Sequence, residues 1–246
     1  MKAGGKLDVL AFGAHPDDVE LQIGGTILKL ANMGYRVGVA DMTRGELGTR
    51  GTPAIRAKEA RRASSILKLA VRENLSLKDG SVLVTPAARL KVVALLRRYR
   101  PALVLTHYWD DRHPDHVATS RLVTDCCYLS GLQKIKTSRE RFRPDRLLYF
   151  GIPHFVQPSF LIDISSTFEG KMEAIKAFRS QMHDPNSKEP QTYLSVPDFL
   201  PNLEAVNRYY GTLIQVRHAE AFVTRDAIAI GDPIPFFCSP GEGRCP

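Results

Sequence analysis

The sequence has little of what cross-links a fold or places it in a membrane. Its 246 residues include four cysteines, Cys126, Cys127, Cys238 and Cys245, and no C-x-x-C. A disulfide framework does not suit such a chain, so at most a bond between Cys238 and Cys245 in the tail stays open. Cys126 and Cys127 fall in an apolar helical pattern and read as buried thiols. No apolar run reaches the ~18 residues that a bilayer requires. Residues 1–8 lack the apolar stretch of a signal peptide, so a soluble, cytoplasmic protein without a membrane partner is expected. No G-x-G-x-x-G follows the first strand-like run and no G-x-x-x-x-G-K-[ST] occurs, which weakens nucleotide binding. H-E-x-x-H and G-x-S-x-G are missing too, which removes thermolysin-like proteases and hydrolases of the serine-elbow type.

What is present has a globular balance, with 43% hydrophobic and 24% charged residues. Lys+Arg 34 against Asp+Glu 26 leaves a net charge of +8. The positive residues are dispersed. Arg89, Lys91, Arg97, Arg98 and Arg100 share one segment; Lys134 to Arg146 form another, broken by Glu140 and Asp145. Neither is interleaved with aromatics as a nucleic-acid stacking platform would be, so both read as solvated faces and no nucleic-acid partner is expected.

Short apolar runs alternate with amphipathic stretches. Strands are expected over 7–13, 35–42, 72–77, 102–106, 160–164 and 219–224. Helices are expected over 19–33, 52–69, 86–99, 115–129 and 199–216, and from a capping box at Ser166 and Glu169 through 178. Thr52-Pro53 has the form of an N-cap with proline at the first helical position. Residues 183–197 are polar and proline-rich, a loop or lid. Alternation of this kind predicts an α/β fold, a Rossmann-like, mostly parallel sheet with helices on both faces in a single domain. The expected division is one domain over 1–232 and an irregular tail over 233–246, draped on the surface.

Two clusters carry chemistry. Ala14-His15-Pro16-Asp17-Asp18 directly follows the first strand, and Asp111-Arg112-His113-Pro114-Asp115-His116 follows another, both at helix starts. Ligands bind at the carboxyl ends of parallel strands. His15, Asp18 and His116 would supply three ligands and leave a fourth position open, the catalytic pattern for Zn²⁺. Such a zinc makes water acidic enough to react near pH 7. Asp17 is then free to act as general base, and His113 to donate to an oxyanion or a leaving group. Asp115 can orient a ring through its second nitrogen. Against this stands the reading of Asp17 or Asp18 as a plain N-cap and the histidines as loop residues.

The two motifs, A-H-P-D-D and H-P-D-H, resemble the signatures of the LmbE/PIG-L zinc deacetylase family. The likeness continues through 45–53, 55–60, Gln191-Thr192-Tyr193, Pro197-Asp198-Phe199, 208–211 and 219–222. These outer segments look like the branch that deacetylates N-acetylglucosaminyl malate on the way to bacillithiol. The resemblance implies His15, Asp18 and His116 as zinc ligands, Asp17 as base, His113 as the oxyanion donor and Asp115 as its modulator. It implies Arg56 near the sugar and, more loosely, Asp79 on sugar hydroxyls. It also implies a homo-oligomer, often a hexamer. The mycothiol branch carries tyrosine where Asp111 stands, so a role for tyrosine there is absent. Arg44, Arg50, Arg56 and Arg112 lie in the site loops, and arginine clamps carboxylates such as malate's; Arg50 and Arg112 are taken as substrate contacts beside Arg56. Glu46 and His218 are further candidates, His107 reads as structural, and His154 and His183 have no assigned role. The expected substrate is an N-acetylated amino sugar conjugate, with chitobiose, free N-acetylglucosamine or an antibiotic intermediate as alternatives. A binding module without turnover is the rival from another class.

Overall fold

The computed structural model describes residues 5–153 and 156–237. Five strands, β1 (Val9–Gly13), β2 (Val37–Asp41), β3 (Val71–Asn74), β4 (Leu103–His107) and β5 (Arg146–Phe150), form a parallel sheet in the order β3-β2-β1-β4-β5. Central β1 pairs Val9 with Val37 on one side and with Leu103 on the other. Buried on both faces, it is apolar throughout. Its side chains still divide by the two-residue period, Val9 and Ala11 to one layer and Leu10 and Phe12 to the other.

The first layer holds α1 (Asp18–Asn32), α2 (Pro53–Ile66) and α5 (Phe168–Lys176), through Val19, Ile27, Ala63 and Ala174. The second holds α3 (Pro86–Tyr99) and α4 (Pro114–Leu129), through Val92, Leu96, Leu122 and Cys126. Helices α2 and α3 start as their sequences predict. The Thr52 and Thr85 hydroxyls accept from the Ile55 and Ala88 N–H groups, with proline at the first helical position.

Four features depart from expectation. The strand β5 was not predicted, since it follows the basic 134–146 stretch that reads as surface. β6 (Phe160–Asp163) and β7 (Ala219–Phe222) do not join the parallel sheet; they form a separate antiparallel pair, attached to its edge by a Tyr149–Val223 bridge. The capping box at Ser166 and Glu169 does not form. Thr167 precedes α5, and its hydroxyl donates to the Gly25 carbonyl oxygen at 2.8 Å, so packing against α1 sets this helix start. The expected irregular tail opens with a short helix, α7 (Pro233–Phe237), whose residues are all exposed rather than draped. His154, Cys238 and Cys245 lie outside the described residues.

α1 is broken at Ile23 (φ −136°, ψ 19°). The break diverts the Gly25 and Thr26 N–H groups, which donate to Glu220 of β7 at 3.0 and 2.7 Å. Lys171 of α5 closes the arrangement with an ion pair to Glu220 at 2.8 Å, both side chains fully buried. Gly25 is required here, because a Cβ would meet Ile164 at 2.7 Å.

Candidate active site and metal centre

β1 and β4 are neighbours, yet α1 and α4 after them go to opposite faces. This divergence opens a crevice at the carboxyl edge of the sheet, the usual ligand position in open α/β folds. Both motifs meet there. Asp18 lies between two histidines: His15 Nδ1 is 3.4 Å from Oδ2, and His116 Nε2 is 3.4 Å from Oδ1. Ligands about 2.0–2.1 Å from a tetrahedral ion lie about 3.3 Å from one another, so these three groups fit a zinc-sized cation. A second grouping, His15, His113 and Asp115, shares His15. The Asp115 oxygens are already engaged, accepting from the Gly80 and Val82 N–H groups at 2.7 and 3.1 Å.

The electrostatics favour a cation. Burial opposes the charged form of His15, but Asp18 and Asp79 outweigh it and hold the ring up at about 11. Burial also opposes charge on His116, and Asp18 and Asp111 raise it to about 9. Asp18 stays well below the usual carboxylate range because His116 and His15 outweigh its burial. The carboxylates therefore favour positive charge between the two rings.

Asp17 does not cap α1, which removes the plain N-cap reading for it. Its φ of 120° is strained for a non-glycine residue. Its Oδ2 pairs with Arg56 Nη2 at 2.8 Å. Burial lifts its carboxyl to about 7, with Arg56 pulling the other way. That value suits a general base. The His113 Nδ1 accepts from the Asp115 N–H at 3.2 Å, which leaves the proton of the neutral ring on Nε2, free to donate. Burial, and then His116 and His15, push its pKa below the ordinary histidine value.

The remaining expected residues are placed less simply. Arg56 is buried and engages Asp17 and the Pro16 carbonyl oxygen rather than open cleft. Asp79 faces His15 Nε2 at 3.1 Å and accepts from the Leu47 N–H at 2.7 Å. The carboxylate of Asp115 holds the 80–82 backbone, and only its N–H touches the His113 ring. Arg50 is buried and turned to Ser187 (3.0 Å) and Glu189 (3.5 Å), where it ties the 183–197 loop to the site loop. The Arg112 guanidinium lies over the Tyr193 ring, 4.4 Å from its centroid. Glu46 accepts from the Asp79 N–H at 3.3 Å. His183 Nδ1 faces the Ser195 carbonyl oxygen, and His218 is stacked on Phe168.

The sequence reading gave no part in the site to two neighbours of the candidate metal ligands. His107, at the end of β4, stacks on His116, and its Nε2 accepts from the Ala14 N–H at 3.0 Å, 3.2 Å from Asp18 Oδ2. Burial lowers it to about 4, so it stays neutral. Asp111 reaches both His113 and His116. A carboxylate two residues before the H-P-D-H run was the available signal.

A crevice offering a cation site, a buried carboxyl poised near 7 and an N–H donor beside it has the equipment of a hydrolase for amides. The PIG-L family pattern, described as GlcNAc-PI de-N-acetylase, matches residues 10–127. The chain is 28% identical over 224 residues to the diacetylchitobiose deacetylase of Thermococcus kodakarensis, covering 86% of this chain and 80% of that protein. It is 28% identical over 187 residues to a probable N-acetyl-α-D-glucosaminyl L-malate deacetylase 2 of Bacillus anthracis, covering 70% and 80%. The crystal structure of a conserved protein from Thermus thermophilus superposes with a TM-score of 0.83 at 39% identity, covering 91% and 97%. Together with this pattern, the 39% identity to a solved structure covered to 97% places the chain in the PIG-L deacetylase family.

Proposed function

We propose that this protein removes the acetyl group of N-acetyl-α-D-glucosaminyl L-malate, giving acetate and glucosaminyl malate, with Zn²⁺ held by His15, Asp18 and His116. The observation that carries the reading is the buried Asp17 carboxyl set beside this three-ligand cluster. A bound zinc supplies Lewis acidity toward water and the amide carbonyl. Arg56 holds Asp17 Oδ2 and leaves Oδ1 to take the proton of the attacking water. The same carboxyl returns that proton to the departing amine. His113 Nε2–H donates to the carbonyl oxygen as negative charge builds on it. The exposed Arg44, and Arg112 beside His113, are the cations offered to the malate carboxylates. Assembly as a cytoplasmic homo-oligomer belongs to the same proposal.

A second reading, deacetylation of a neutral N-acetylglucosamine disaccharide, is favoured by the more extensive match to the diacetylchitobiose enzyme. Rates of acetate release from the malate conjugate, diacetylchitobiose and free N-acetylglucosamine separate the two. The malate conjugate is expected to react fastest, and a chelator to abolish turnover until zinc is returned. Equal rates on all three would remove the malate assignment, and full activity after metal removal would sink the mechanism.

A further inference from the structure

We propose that Asp111 is the positioning residue of the metal centre: it selects the ring orientation and tautomer in which His116 can bind a cation. The inference rests on the metal-site reading above. Asp111 lies in the loop between β4 and α4. Its Oδ1 accepts from the His113 N–H at 2.7 Å, and its Oδ2 faces His116 Nδ1 at 3.0 Å. A backbone N–H can only donate and an ionised carboxylate can only accept, so both partners are donors. His116 therefore carries a proton on Nδ1, and Nε2 is the nitrogen turned to Asp18, the one whose proton a cation would replace. The first contact anchors the carboxylate to the N-cap residue of α4, which also carries the His113 ring. One side chain thus sets the ring of a metal ligand and the backbone of the oxyanion donor together.

His15 shows the same logic by a different route. Its Nε2 faces Asp79, and its Nδ1 is the nitrogen turned to Asp18. The two rings present opposite nitrogens to the cation, each with a carboxylate behind it. Outer carboxylates of this kind fix ring orientation and raise ligand basicity.

Asp111→Asn is the discriminating change, because it keeps shape and removes one acceptor. The amide oxygen can serve the His113 N–H or the His116 ring, but not both. If it stays on His113, the NH₂ group faces Nδ1 and favours the tautomer with its proton on Nε2, which blocks coordination. Metal affinity is read by competing Co²⁺ or Zn²⁺ against a chromophoric chelator, and geometry by the visible spectrum of the Co²⁺ form. The variant is expected to bind about 10–100-fold more weakly and to show an altered Co²⁺ spectrum, while the metal-free protein keeps its thermal midpoint. In a His116→Ala background the same change should cost no further affinity. Unchanged affinity and spectrum in Asp111→Asn would overturn the proposal. So would an equal loss in the His116→Ala background, since Asp111 would then act through the loop and not through the ring. Should Asp111→Asn lower the metal-free midpoint, the double-variant comparison still decides between these outcomes. A parent protein that takes up neither ion overturns the metal reading as well, a result separate from a parent and variant that bind equally.

Discussion

Asp17 combines burial, a strained backbone and one ion pair, and each has a measurable consequence. A backbone held at φ 120° costs on the order of 1–3 kcal/mol, a strain that the surrounding turn sustains while it directs the carboxylate inward. Asp17→Asn keeps the volume and removes the base; kcat should fall about 10²–10⁴-fold with metal affinity retained, as read by steady-state kinetics beside a metal titration. Arg56 favours the ionised form of Asp17. Removing its charge therefore raises the carboxyl pKa, and the acid limb of the kcat/KM profile should move to higher pH in Arg56→Ala. An unmoved limb would mean that Arg56 serves the sugar and not the base. The thiols are a contrasting case. Cys126 is buried as expected but Cys127 is only half-buried, and apolar surroundings push both thiols up to about 12. In a Cys238→Ser/Cys245→Ser variant, labelling of the native protein at pH 8 should be about a thousandfold slower than for an ordinary thiol and should rise tenfold per pH unit. Rapid labelling at pH 8 would contradict that burial. The motif residues stood out in the sequence because the ability to ligate a cation or move a proton belongs to a histidine's or an aspartate's own atoms. The partners Asp111 and His107 were not, because their value lies in a lone pair aimed at one ring, and spacing does not encode direction.

Elements show the same division. Proline and threonine at the starts of α2 and α3 act on adjacent N–H groups, so those helix starts were readable. The break in α1 was not, because its cause lies about 150 to 200 residues downstream, at Lys171 and Glu220. Lys171→Met leaves a buried carboxylate facing two N–H groups without its counter-ion. Such a change is expected to cost about 3–5 kcal/mol, seen as a lower urea midpoint with an unchanged slope. A shift below ~1 kcal/mol would show that Glu220 is satisfied by the N–H groups alone. A comparable network under the site joins Glu20, Arg72 and Asp41, with Arg72 Nε and Nη2 on the two Asp41 oxygens at 2.8 and 2.9 Å. β5 escaped notice because its flank is basic and its own run, Arg-Leu-Leu-Tyr-Phe, is short. Its pairing with β4, and not a pattern of its own, makes it a strand.

For the whole molecule, the +8 charge acquires a different meaning. Several of its cations are spent internally: Arg56 on Asp17, Arg72 on Asp41 and Glu20, Lys171 on Glu220, and Arg97 on the carbonyl oxygens of Ser130, Leu132 and Ile135. The remainder are dispersed, so retention on duplex DNA should be weak and change little across a salt series; a steep slope would signal a phosphate-binding face. Sequence alone determined the class of fold and singled out the candidate residues, since apolar periodicity and reactive atoms are properties of the chain. It placed His15, Asp18 and His116 in two strand-end loops. Only the tertiary structure decided that β1 and β4 are neighbours with helices diverging from them, that Arg56 and Arg50 turn inward, and that Asp111 and Asp79 stand behind the two rings. Those outcomes depend on the approach of residues far apart in sequence, and directional contacts such as hydrogen bonds are settled only when packing brings the partners to within about 3 Å.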